Sequence, residues 1–472
     1  MEKMGTAGRQ KKAICAIFPL PQQRQKQGFA RVFAAGRNAR RVRPHGWARK
    51  TQYRGGLAER LGVGSRHLRR LFLRHLGATP RAVAQTRRLQ FSKKLIDETA
   101  LPMGQVALAA GFGCVRRFNA AIRSVYHRTP MQIRRLVRKS DGQSENQYLF
   151  HLSFRPPYNW KRLIEFLAAR AMPGVEAVDY GCYRRSISVH ECGGFVEVSP
   201  DERNYALAVR VQFGDPRGLF FIERVRAMFD LNADWPITVK TLQTDASLAR
   251  WIAAEAGLRV PGCWNGFELT VRAILGHQVS VKAAATTFAG RIVTAYGRRF
   301  TRANGLTHVF PDPEILAEAN LNRVGLTSAR AESIRALARA VCDKRIRFEG
   351  IVDYDEFRAG LCEIPGIGKW TAEYVAMRAL RDPDAFPTGN LVLRRVLSNC
   401  SARELDRKSE AWRPWRAYAV MLLWQSAGRA VPSAGETPPR LASALHQRTA
   451  KSRDAAAAPF VRARSARSRR IA

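Results

Sequence analysis

The residues with the most chemical promise lie between 355 and 426. Ile364-Pro365-Gly366-Ile367-Gly368 follows a short apolar-periodic run (Phe357, Leu361), and a second such run extends from Lys369 to about Ala379. Pro365 fixes φ and ends the first run, while Gly366 and Gly368 permit a turn that ordinary residues resist. Lacking side chains, the glycines also let a phosphate approach the backbone N–H groups opening the second helix, where the helix dipole favours an anion. The same pattern also suits a ligand-free corner between two helices. Trp370 and Tyr374, four residues apart, share one helix face, and Trp424 stands on a later apolar segment. Read without context, aromatic residues at this spacing serve core packing.

The elements that must carry these residues are mostly helical. From about Asp245 to Ser426 the pattern is helical throughout, broken at Gly276-His277-Gln278-Val279-Ser280 and at the IPGIG turn, and it closes on an apolar helix through Trp424. Residues 147–245 read differently. Tyr148–Leu152 and Tyr205–Val211 alternate as strands, Asp179–Val189 and Val196–Val198 suggest more antiparallel pairing, and Trp160–Ala169 is a helix between them. Residues 55–138 carry one scheme twice. Ser65 caps a helix to Leu76 that bears Arg66, His67, Arg69 and Arg70 on its open side. A long helix spans Pro80 to Glu98. Met103–Ala109, a Gly111-Phe112-Gly113 turn and Val115–Tyr126 with Arg116 and Arg117 then repeat the unit. A helix of this kind offers side chains at its N-terminal end to base edges in the major groove, whereas arginines on a plain bundle merely face water. Residues 1–54 and 427–472 are patternless and basic. They read as a disordered arm and tail, and they also fit shifted reading frames in a damaged gene.

Eighty Lys and Arg against 38 Asp and Glu give the 472-residue chain a formal charge of +42. A polyanion, nucleic acid first, is the expected partner. The eight cysteines are scattered with no CxxC pair, so neither a zinc ribbon nor a disulfide framework is expected. His190-Glu191-Cys192 reads as a strand end. No apolar run is long enough for a bilayer and no signal peptide is evident, so a cytoplasmic, nucleoid-associated bacterial protein with no membrane partner is expected.

Two resemblances sharpen these readings. Ala109-Ala110-Gly111-Phe112, then Arg117-Phe118-Asn119 and Thr129-Pro130, is similar to the signature of the AraC-type double helix-turn-helix domain. It implies major-groove contacts from Arg66, His67, Arg116 and Arg117. Helix, IPGIG turn and helix resemble the helix-hairpin-helix element of the DNA glycosylase superfamily. Pro156-Pro157-Tyr158-Asn159-Trp160, Phe166–Ala171, Leu258–Trp264 and Trp412–Tyr418 resemble DNA-3-methyladenine glycosylase II, in the family's order. The expected fold is therefore mainly α and multidomain: a basic arm (1–54), an AraC-type domain (55–138), a small α+β domain (147–245), an all-α helix-hairpin-helix domain (246–426) and a tail (427–472).

By this resemblance, the chain flips an alkylated purine out of double-stranded DNA and hydrolyses its glycosidic bond. Base flipping costs a few kcal/mol. Pro365, Gly366, Ile367, Gly368 and Lys369 would grip the backbone. The carbonyls of Cys362, Ile364 and Ile367 would hold a monovalent cation facing a phosphate, with no other cofactor required. Gln278 would wedge into the vacated stack, and Trp370, Tyr374 and Trp424 would line the base pocket. The family's catalytic aspartate falls on Asn390 within Phe386-Pro387-Thr388-Gly389-Asn390-Leu391-Val392-Leu393-Arg394-Arg395. An amide carries no charge to offset a cationic sugar, and loss of one such group commonly costs on the order of 100- to 1,000-fold in rate. Asp382 and Asp384 lie nearby, but the match places neither at the sugar. A methylated purine already leaves easily, so weakened excision is one expectation. The other is an alkylation-responsive regulator with promoter DNA and RNA polymerase as partners. The AraC-type region is similar to adaptive-response regulators of the Ada type, but residues 1–54 hold only Cys15, so their methyl-accepting zinc cluster is not expected.

Overall fold

The computed structural model describes residues 58, 64–136, 147–189, 192–276, 287–299, 305–349, 352–397 and 399–427. The arm 1–54, His190 and Glu191, the wedge candidate Gln278 and its neighbour His277, and residues 428–472 lie outside them.

The front of the chain forms α1 (Ser65–Leu76), α2 (Pro80–Glu98), α3 (Met103–Ala109), α4 (Val115–Tyr126) and α5 (Pro130–Leu136). Thr79 starts α2 by accepting a hydrogen bond from the Ala82 N–H at 3.1 Å, with Pro80 in the first turn where its missing N–H costs nothing. α1 begins one residue earlier than the sequence suggests. Gly64, not Ser65, holds the N-cap position, and no side chain caps the helix. Leu68, Phe72, Phe118 and Ile122 are buried, whereas Arg66, Arg69, Arg70, Arg116 and Arg117 are exposed.

Next come β1 (Gln147–Ser153), α6 (Trp160–Ala168), β2 (Glu176–Asp179), β3 (Cys182–Val189), β4 (Cys192–Asp201) and β5 (Ala206–Phe213). They build one antiparallel sheet in the order β1-β5-β4-β3-β2. Burial alternates along β1, so one face meets the core. α6 covers β2 and β3. α3 lies against the 3₁₀ turn Pro216–Phe221, and Lys94 of α2 donates to the His151 carbonyl at 2.7 Å. The paired helix-turn-helix units are thus fastened to this sheet.

The remainder is α7 (Ile222–Met228), α8 (Trp235–Leu242), α9 (Ala246–Ala254), α10 (Gly266–Leu275), α11 (Gly290–Tyr296), α12 (Pro313–Glu318), α13 (Ser328–Cys342), α14 (Tyr354–Cys362), α15 (Lys369–Arg378), α16 (Leu391–Val396), α17 (Ala402–Ser409) and α18 (Arg416–Ser426). α10 is buried along nearly its whole length, its Glu268 included, and packs against α13 and α15. A two-residue ribbon, β6 (Arg298–Arg299) with β7 (His308–Val309), interrupts the helices. Strands this short carry no alternation for the sequence to reveal. α15 lies between two apolar cores. Val375 packs into the one containing α13 and α14, Ala376 and Met377 into the one containing α18, and Tyr374 touches both.

Candidate DNA interface and base pocket

The IPGIG turn is anchored from below and open above. Ile364 and Ile367 are buried beside Phe357 and Leu361, while Pro365, Gly366, Gly368 and Lys369 are exposed. Asp353 starts α14 by accepting from the N–H groups of Asp355 and Glu356 at 2.9 and 3.1 Å. Gly366 adopts φ +82°, which a side chain would strain, and a Cβ there would come within 2.4 Å of Ser333 Oγ. α15 then opens at Gly368 with no side-chain cap. N–H groups in the first turn of a helix have no acceptor within the helix itself, and an anion can take them. Of the carbonyls proposed for a cation, that of Ile364 accepts from the Ile367 N–H at 3.0 Å, which leaves it a second lone pair. The Cys362 carbonyl ends α14, where the helix dipole adds negative charge. This all-oxygen set suits a hard monovalent ion. Among the described residues no three His, Cys, Asp or Glu side chains gather as a metal cluster.

The three nominated rings meet. Trp370 and Tyr374 stack with centroids 5.5 Å apart and planes 6° apart, and Tyr374 approaches Trp424 at 6.3 Å and 51°. All three are partly exposed. The Trp370 indole N–H is buried and has no acceptor among the described residues. Bringing Trp424 to the other two depends on contacts far apart in sequence. α18 lies across α9 and α16, and its Trp424 Nε1 reaches Asn390 Oδ1 at 3.4 Å.

Asn390 is the N-cap of α16. Its Oδ1 accepts from the N–H groups of Val392 and Leu393 at 2.9 and 3.1 Å. Asn is among the best residues for that task. The position therefore sits beside the rings, but its oxygen is committed to a helix end. The carboxylates nearest in sequence are engaged elsewhere. Asp382 is buried against Arg358, and Asp384 against Arg413 and Arg416, whose Nε lies 2.9 Å away. Glu373 pairs with Arg358 at 2.8 Å and accepts from the Phe386 N–H, and burial lifts its carboxyl above the usual range despite that pairing.

Behind the rings lies a charged network that sequence reading missed. Arg378 donates to Tyr374 Oη at 2.6 Å. Arg185 donates to Glu268 at 2.8 Å, and Arg272 reaches Glu176 at 3.0 Å and Glu268 at 3.2 Å. Tyr183 Oη donates to Glu176 at 2.6 Å. β2, β3 and α10 are thus tied together in the interior. The local signals were the four-residue spacings of Tyr374 with Arg378 and of Glu268 with Arg272; Arg185 and Glu268 are 83 residues apart and Arg272 and Glu176 are 96 apart, beyond the reach of periodicity.

Arg66, Arg116 and Arg117 project from the exposed faces of α1 and α4, and His67 is half-buried with Nδ1 3.0 Å from Arg70 Nη2. Both helices open on residues without side-chain caps, Gly64 and Cys114.

A sheet-bearing domain followed by a helical hairpin and a ring cluster defines a helix-hairpin-helix DNA glycosylase, here preceded by paired helix-turn-helix units. Residues 149–265 match the AlkA N-terminal domain and residues 57–136 a helix-turn-helix domain. The chain is 38% identical over 378 residues to the "probable bifunctional transcriptional activator/DNA repair enzyme AlkA" of Mycobacterium tuberculosis, covering 78% of this chain and 76% of that protein. It is 34% identical over 284 residues to DNA-3-methyladenine glycosylase 2 of Escherichia coli, covering 59% of this chain and 98% of that one. The fold is that of the 3-methyladenine DNA-glycosylase from Archaeoglobus fulgidus, with a TM-score of 0.53, 22% identity and coverage of 59% of this chain and 98% of that one. The chain belongs to the AlkA family of bifunctional transcriptional activators and DNA repair enzymes.

Proposed function

We propose that the chain is a DNA glycosylase that flips alkylated purines, 3-methyladenine and 7-methylguanine among them, out of double-stranded DNA and hydrolyses their glycosidic bond. The observation that carries this is the meeting of Trp370 and Tyr374, on the helix that the exposed glycine turn introduces, with Trp424 of α18 beside Asn390. The residues act in sequence. Gly366, Gly368 and Lys369 hold the phosphate backbone, with a monovalent cation on the Cys362, Ile364 and Ile367 carbonyls where one is bound. Gln278 fills the gap. The rings accept the cationic base, whose positive charge makes it a good leaving group. Asn390, an amide in the place of a carboxylate, orients but cannot offset the charge on the sugar. Domain bounds of 55–138, 147–245 and 246–426 follow from this assignment.

The test is release of 3-methyladenine and 7-methylguanine from methylated duplex. Slow release by the wild type and fast release by Asn390→Asp is the expected outcome. No release by either protein above the spontaneous rate would reject the enzyme.

A second reading rests on the hydrogen bonds of Asn390. Its oxygen is fully used in capping α16 and meeting Trp424, which suits a pocket that binds a damaged base longer than it takes to cut it. Joined to α1 and α4, such a pocket would make an alkylation-responsive regulator that engages promoter DNA through Arg66, His67, Arg116 and Arg117, with RNA polymerase as its further partner at the nucleoid in the cytoplasm. A footprint with no preferred duplex sequence would rule out the regulator.

A further inference from the structure

Tyr374 has two environments. Its ring stands between Trp370 and Trp424, partly open. Its hydroxyl points the other way, into the interior, where Arg378 donates to it from Nη1 at 2.6 Å. Arg378 is 5% exposed, so this contact is dry. The guanidinium is held from two further sides. Nε donates to the Pro261 carbonyl and Nη2 to the Gly262 carbonyl, each at 2.9 Å, and its carbon lies 4.9 Å from the centre of the Phe166 ring.

Every hydrogen-bond acceptor around Arg378 is neutral, and among the described residues no carboxylate pairs with it. Glu176 and Glu268, the buried acids of the network behind the rings, are taken by Arg185 and Arg272. A buried guanidinium without a counter-charge is costly. A staple between α15 and the 261–262 loop needs no charge, since two apolar side chains of similar volume would hold as well. What the planar fork adds is direction. Its donors lie in one rigid plane, so fixing two of them on backbone carbonyls fixes where the third points.

We infer that Arg378 is a positioning residue of the base pocket: seated on the Pro261 and Gly262 carbonyls, it holds the Tyr374 phenol oxygen and so sets the plane of the ring on which a flipped purine stacks. The inference rests on the glycosylase reading above and assigns that site a residue which does not itself touch the base. A ring tethered at its far end keeps one orientation before DNA arrives, so none of the stacking is spent on ordering it. The tether brings the charge of Arg378 to the hydroxyl, where it adds to that of Arg170, a second hydrogen-bond partner of Tyr374. Burial pushes the Tyr374 hydroxyl up, but the charges of Arg378, then Arg170, and Arg272 outweigh it and bring it below the ordinary phenol range.

The full-length protein, Arg378→Lys and Tyr374→Phe decide the matter. Ultraviolet absorbance of tyrosinate is followed against pH, and affinity for methylated against unmethylated duplex is measured by fluorescence anisotropy. The wild type should show one tyrosine ionising before the rest. That component should vanish in Tyr374→Phe and move to higher pH in Arg378→Lys. Both variants should lose about 5- to 30-fold in preference for methylated duplex, the size of one lost orienting contact. Tyr374→Phe keeps the ring and the seat of Arg378, so it reads the tether even where Arg378→Lys folds poorly. An unchanged preference in Tyr374→Phe, or an ionisation that Arg378→Lys leaves in place, overturns the inference. If the ionisations behave as expected but the wild type itself has no preference for methylated duplex, the glycosylase reading fails and takes the positioning role with it.

Discussion

The two regions of this molecule proposed to face DNA are built in opposite ways. At the front, Arg66, Arg116 and Arg117 extend singly from exposed helix faces, and no acidic side chain among the described residues pairs with them. At the rear, nearly every polar group around the pocket is already spoken for. Asn390 caps a helix, Asp382 and Asp384 are locked in ion pairs, and Arg378 spends its donors on two carbonyls and a phenol. The front can therefore be altered one side chain at a time, with affinity falling by roughly independent amounts and strongly with salt. The rear depends on shape. A ring or amide there works because of what holds it, and its contribution is less sensitive to screening.

The largest test of this contrast is Asn390→Asp. A carboxylate can keep the same two N–H bonds, and the helix N-terminus favours its charge. Excision of 7-methylguanine, measured by single-turnover release, should rise on the order of 100- to 1,000-fold, while binding to an undamaged promoter stays unchanged. Trp424→Ala should come next. Losing one stacking surface costs about 1–3 kcal/mol per base, seen as weaker anisotropy binding of methylated duplex and again with no effect on promoter binding. Arg116→Ala should do the reverse. A lost base contact costs about 1–3 kcal/mol at one operator position, reduced further in high salt, and base release should not change. If Arg116→Ala slowed excision, the two regions would not be independent.

The smallest effect concerns the interior that holds the pocket in place. Glu176 is buried, which raises its carboxyl, but Arg272 and Arg185 outweigh this and hold it below the usual glutamate range. Its contribution to stability is therefore complete above that range and lost as pH falls through its folded value. Urea midpoints of the wild type should drop on acidification. Those of Glu176→Gln should start lower at neutral pH, because the arginines are left short of charge, and then fall less steeply in acid.

Much of the front was legible because its logic is local. The bounds of α2, α3 and α4 and the outward arginines follow from helical periodicity over short windows; the capping of α1 at Gly64 instead of Ser65 and the seven-residue helix α5 were not read from the sequence. The hairpin was equally open to reading, since proline and two glycines state their backbone preferences outright. The neutral residue at 390 was also visible, through resemblance. Its capping role was not, because helix α16 is only six residues long.

By itself the sequence determined which of the longer segments are helices or strands, where the IPGIG corner turns, and that its charge seeks a polyanion, since backbone preference and hydrophobic period are properties of neighbouring residues. The tertiary structure alone decided that Trp424 completes a cluster begun at Trp370, that Asp382 and Asp384 are consumed by Arg358, Arg413 and Arg416, and that Arg378 stands behind Tyr374. Those are encounters between residues brought together by packing, and a buried charge selects its partner from whatever the fold places within reach.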